Sequence, residues 1–141
     1  MKTPDMKTFV LAVTSIFVLT GCFREIQTSD PKKAFAYWAG HSPAGFEFIN
    51  GQYWQSPHWT MEYIVCLEFK PTQEWWNELV SNNNLVVDTN KWTFVSSNKV
   101  NPDWFNPSTN SIRYRMEGNS DRGRYFWDVE TGVCFVYEIQ L

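Results

Sequence analysis

From Trp59 to Lys70 the odd positions Trp59, Met61, Tyr63, Val65, Leu67 and Phe69 are all apolar, and Thr60, Glu62, Glu68 and Lys70 alternate with them. A period of two sustained over that length predicts a β-strand with one face buried from end to end. The second face is apolar only at Ile64 and Cys66, so it is covered only at its centre. Such a strand cannot stand alone and belongs inside a sheet with a further layer packed on it. Pro71 stops it, and Thr72 is placed to cap a helix with Gln73 and Glu74 in the first turn. Trp75, Trp76, Leu79 and Val80 form the apolar stripe of that helix, which ends in Asn82-Asn83-Asn84.

The C-terminal part of the chain supplies neighbours for the strand. Ile112, Tyr114 and Met116 alternate with Arg113, Arg115 and Glu117, and a polar loop from Gly118 to Gly123 follows. Tyr125, Trp127 and Val129 lead into the turn Glu130-Thr131-Gly132, after which Val133, Phe135, Tyr137, Ile139 and Leu141 share one face. This pattern predicts an antiparallel three-strand meander whose last strand is part of the sheet. Leu85–Val87 and Trp92–Val95 read as two further short strands. Upstream, Asp30-Pro31 reads as an N-cap and first helical residue, opening a helix through Trp38 that stops at Gly40. Phe46–Ile49 and Gln52–Ser56 flank Asn50-Gly51, the pair most typical of a two-residue hairpin turn. Asn101 to Pro107 places Trp104 and Phe105 between two prolines, which predicts a rigid surface segment.

The expected fold is α+β: an antiparallel sheet with one or two helices packed on one face, the strands Trp59–Phe69 and Val133–Leu141 being central. The alternative is a small β-barrel or sandwich with a helix laid across one end.

The first residues carry a different signal. Lys2 and Lys7 precede an uncharged apolar run from Phe9 to Leu19, the length of a secretory h-region and too short to span a bilayer as a helix. Met6 serves as well as Met1 for the start of such a signal. The run closes on Leu19-Thr20-Gly21-Cys22, which resembles the lipobox of bacterial lipoproteins. The resemblance covers residues 1–22 only. It implies a signal peptide over 1–21, removed by a dedicated peptidase, and a diacylglyceryl group on Cys22, whose freed amine is usually acylated as well. It also implies a cell-envelope location, with the outer membrane favoured in a Gram-negative host because Phe23 is not the Asp that tends to retain lipoproteins at the inner membrane. A tether over 22–30 and a single globular domain over 31–141 complete the expected organisation. The mature chain of about 120 residues suits one domain.

With Cys22 lipidated, Cys66 and Cys134 remain, and an extracytoplasmic compartment permits a disulfide between them. The other reading is two small buried side chains with free thiols.

A formal net charge of −3 with both signs interspersed argues against nucleic acid as a partner. His41 and His58 sit in Pro-containing loops with no nucleophile or metal-ligand spacing beside them, and there is no phosphate loop or nucleophile elbow. The chain is therefore read as noncatalytic, with no cofactor and no metal. All eight Trp and all six Tyr lie after Cys22. Those at strand positions are expected in the core, whereas Trp54, Trp104 and Phe105, and less strongly Trp38 and Tyr53, are candidate binding residues. Two functions follow. One is a membrane-anchored module that binds an envelope protein, as an inhibitor, immunity or exclusion factor, or accessory subunit. The alternative is an envelope glycan-binding module that stacks sugars on exposed aromatics.

Overall fold

The computed structural model describes residues 24–118 and 122–141. In chain order the elements are β1 (Ile26–Thr28), α1 (Pro31–Ala39), β2 (Glu47–Gln55), β3 (Tyr63–Lys70), α2 (Gln73–Asn82), β4 (Leu85–Val87), β5 (Ile112–Met116), β6 (Gly123–Trp127) and β7 (Cys134–Gln140). The strands form one open antiparallel sheet in the order β1-β2-β3-β7-β6-β5-β4, so the fold is α+β and not a barrel. β3 and β7 are central, and β5, β6 and β7 form the expected meander. The expected signal peptide over 1–21 and the expected lipidation site Cys22 lie outside the described residues.

Both helices lie on one face of the sheet, and local chemistry fixes where each begins. The Asp30 carboxylate accepts from the Lys33 N–H at 2.8 Å, Pro31 fills the first turn, and Gly40 closes α1 at φ 82°. Thr72 Oγ1 accepts from the Trp75 N–H at 3.2 Å and caps α2. Phe35 of α1 is fully buried and meets Phe46, Phe48 and Phe69 edge-on, while Trp76 of α2 stacks on Trp127 at 5.1 Å. Tyr53, Val65, Leu67, Tyr125 and Val136 complete this core from the sheet side.

The opposite face is covered by the segment 88–111, which contains no helix or strand. Val100 and Phe105, with Trp92, Phe94 and Trp104 partly buried, pack there on Trp54, Ile64, Cys66, Phe126, Phe135 and Tyr137. Asp88 opens the segment with its side chain fully buried, 2.7 Å from Arg124 Nε and 3.1 Å from Arg113 Nε, with Arg115 Nε at 3.9 Å. Burial alone raises its carboxyl pKa; the Asn90 amide and the Arg124 and Arg113 charges outweigh that and hold it below the usual carboxylate range.

Several expectations are corrected. Asn50-Gly51 is not a hairpin turn, since β2 runs through it with a register shift between Phe48 and Asn50. Gly51 is required by α1: a Cβ there would lie 2.7 Å from Pro31 Cα. The long strand begins at Tyr63, not Trp59, because the chain turns at Met61 with φ 51°. Trp92–Val95 keeps its alternation of half-buried and exposed residues but pairs with no strand; it lies across the sheet face instead. Within the expected tether, Ile26–Thr28 is strand β1, whose Ile26 packs on the helix-side core, so the domain reaches further toward the N-terminus than residue 31.

Candidate binding site

The carboxylate of Glu138 is the most heavily hydrogen-bonded acidic side chain on the helix side of the sheet. Alternation along β7 puts Glu138 on the same face as Cys134 and Val136, opposite Val65 of β3 and Gly123 of β6. Tyr125 of β6 donates its hydroxyl to Oε2 at 2.7 Å, Trp38 of α1 donates Nε1 to Oε2 at 3.1 Å, and Tyr63 of β3 donates its hydroxyl to Oε1. Three elements thus converge on an acid carried by a fourth. Gly123 leaves the room, since a Cβ there would fall 3.2 Å from the Tyr125 hydroxyl and 3.4 Å from Glu138 Cγ.

A cavity of about 390 Å³ opens beside this acid, walled by Trp38, Tyr63, Trp75, Leu79, Tyr125 and Met116, with His41 and Asn83 also lining it. Burial raises the pKa of both phenols, and the Glu138 charge raises them further, while Arg122 opposes the shift at Tyr63. Both hydroxyls therefore stay protonated at neutral pH and act as donors. Among the described residues no Lys or Arg forms an ion pair with Glu138. The result is a held negative charge in a partly apolar cavity with aromatic walls.

No protein family, curated protein or solved structure matches this chain.

Chemically, the cavity could receive a cation. A carboxylate can accept at about four sites, and three are taken, which fixes its position while leaving an acceptor direction and the charge itself. Aromatic faces attract ammonium groups through their quadrupoles, most strongly when the site excludes water. Among the described residues no group of three or more His, Cys, Asp or Glu is placed to hold a metal ion.

Of the residues singled out in the sequence, Trp38 and His41 line this cavity, and Tyr53 stacks beside it on Tyr63 at 6.0 Å. Trp54, Trp104 and Phe105 lie on the other face of the sheet, in the loop-side cluster. There they differ from the expectation of exposed rings. Trp54 is 8 % exposed, donates Nε1 to Glu25, and carries Lys99 Nζ 5.3 Å above its ring. Phe105 is 9 % exposed, stacked on Phe94 at 5.0 Å, and Trp104 is half-buried against it. Trp104 and Phe105, between Pro102 and Pro107, pack inward onto the sheet, and the buried Trp54 and Phe105 offer no flat face to a sugar. His58 is exposed in the β2–β3 connection, outside the cavity.

The disulfide expectation is also corrected: Cys66 and Cys134 are free thiols. Cys66 pairs with Tyr137 and Cys134 with Phe69, so the two are offset by an odd number of residues and point to opposite faces. Their separation along the strands is about 10 Å, beyond the roughly 7 Å limit for bridging. Burial raises both thiol pKa values and leaves them unreactive.

Tyr63, Tyr125 and Glu138 escaped the sequence reading because strand tyrosines look like core. Glu138 itself was the available signal: an acid on the same strand face as Cys134 and Val136 of a central strand needs partners.

Proposed function

We propose that this chain is a lipid-anchored envelope protein, tethered through acyl chains on Cys22, and a noncatalytic module that binds an envelope protein by taking a lysine side chain into the Glu138 cavity. The observation that carries this reading is the carboxylate fixed by Trp38, Tyr63 and Tyr125 inside an aromatic-walled cavity. A lysine brings the matching charge, and its aliphatic stem suits the apolar walls of Leu79 and Met116. The phenols and thiols whose titration is shifted are all held in their neutral forms, which favours binding over nucleophilic chemistry. The lipobox supports the envelope location, with the outer membrane favoured in a Gram-negative host.

Carbodiimide coupling on envelope fractions tests the reading, because it joins a bound lysine directly to the Glu138 carboxylate. The expected product is an amide between Glu138 and a partner lysine, located by mass spectrometry and lost in Glu138→Gln. Equal capture by the wild type and the variant would reject the cavity as the recognition site.

A further inference from the structure

The N-terminal end of β1, the β2–β3 connection and the C-terminal end of β7 all lie at one end of the sheet. Ile26 pairs with Gln55, Gln55 with Tyr63, and Tyr63 with Gln140. At that end the connection from Ser56 to Glu62 is closed by the Ser56 N–H donating to Glu62 O at 2.8 Å and the Met61 N–H donating to His58 O at 3.1 Å. Met61 is held at φ 51°, a conformation unfavourable for a side chain of its kind. The turn leaves Trp59 82 % exposed and Met61 59 % exposed, beside Leu141 at 75 %. These are large apolar groups with no cover, presented by a hydrogen-bonded turn.

Chain length indicates what covers them. Cys22 precedes Ile26 by four residues, a reach of at most about 14 Å. Acyl chains on Cys22 therefore hold this end of the sheet, and not the end carrying the β6–β7 turn, at the bilayer. Tryptophan favours the membrane–water interface, where its apolar ring and polar N–H are both accommodated. Charged groups at this end include Arg24, Glu25, Glu62, Glu117 and Arg122, of both signs, and Glu25 is paired with Lys99 at 3.0 Å, so contact does not depend on anionic lipid.

We infer that this end of the sheet lies against the lipid surface, with Trp59 and Met61 inserted in the interfacial layer as a second contact beside the anchor. The inference rests on acylation of Cys22 and is independent of the Glu138 cavity. Inserted, the turn restrains the domain's tilt, which an acyl tether alone leaves free.

The test uses the full-length acylated protein in vesicles of phosphatidylethanolamine and phosphatidylglycerol. A spin label is placed at Trp59→Cys or, at the opposite end, at Val129→Cys; Cys66 and Cys134 are buried and do not compete. The expected result is an oxygen-to-nickel-chelate accessibility ratio several-fold higher at position 59 than at position 129. Equal, water-like ratios at both positions in protein that carries the acyl mass would overturn the orientation while leaving the anchor standing. A label at 59 shielded from oxygen and nickel alike would overturn it in favour of a protein contact. Unacylated, vesicle-free protein would overturn it through the anchor. Met61→Cys gives the same readout if the label at 59 perturbs the turn.

Discussion

The helix-covered and loop-covered faces of the sheet carry similar aromatic cargo under different lids. On the helix side, α1 and α2 satisfy their backbone groups internally and behave as stiff rods, so a gap remains between Trp38 and Ala39 of one and Trp75 and Leu79 of the other. That gap is the Glu138 cavity. On the loop side, the segment 88–111 follows the sheet surface and fills it with rings, but its backbone polar groups need outside partners. Arg113 Nη2 donates to Asn90 O, the Asn90 N–H to Asp88 Oδ1 at 3.1 Å, and the Asn101 N–H to Gln52 Oε1 at 3.3 Å. Arg124 also lies 5.8 Å over the Trp92 ring. A regular lid leaves room for a ligand, whereas an irregular one seals its face and depends on a few charged side chains to hold it.

The sharpest way to break that contrast is Asp88→Ala. Removing the carboxylate leaves Arg124 buried without its counter-charge and should cost about 4 kcal/mol, read from urea unfolding. The same contact sets an acid limit. Because the folded-state pKa of Asp88 is lowered, its contribution is complete above the unfolded carboxylate value of about 3.9 and is lost as pH falls through the lowered folded value. Asp88→Asn should remove that portion of the acid sensitivity, and an unchanged pH profile would place it elsewhere.

Next in size, Phe105→Ala should cost about 3 kcal/mol if the loop-side cluster is a true core, approaching the value for Phe35→Ala under the helices. A loss below about 1 kcal/mol, as for ordinary surface sites, would mean that the segment is only draped over the sheet. On the helix side, Gly51→Ala forces a Cβ against Pro31 backbone and should cost about 2 kcal/mol, with chemical-shift changes concentrated in α1. Thiol labelling then compares the two lids directly: Cys66 under the loop and Cys134 under the sheet's helix side should react at the same slow rate, through global unfolding. Faster reaction of Cys66 would show that the loop opens by itself. Smallest of all, Trp59→Ala should change the stability of the domain by less than about 0.5 kcal/mol, because its ring touches little of the core.

The sequence made the helix side more legible than the loop side, for a physical reason. Helix caps at Asp30 and Thr72 and the period-two runs of β3 and β7 are local signals, and the structure has both helices and both central strands. Segment 88–111 has only the brief alternation of Trp92–Val95, which suggests a strand that does not pair, and its aromatics find their place only once the sheet exists. Asn50-Gly51 misled because a local turn preference yielded to strand pairing on β3, and the glycine serves the close approach of α1 instead. Trp59 and Met61 misled because their alternation continues that of β3 while the backbone turns away at Met61. The cavity was hidden because its walls are ordinary core residues, and only Glu138 stood out on its strand face.

The most direct test of the central claim is an NMR titration of the folded protein with n-butylammonium, a lysine side-chain mimic, following the indole N–H of Trp38. A saturable shift of that resonance, lost in Glu138→Gln while the fold is retained, is the predicted result. No shift at Trp38, or the same shift in the variant, would contradict the assignment of the Glu138 cavity as a cation-recognition site.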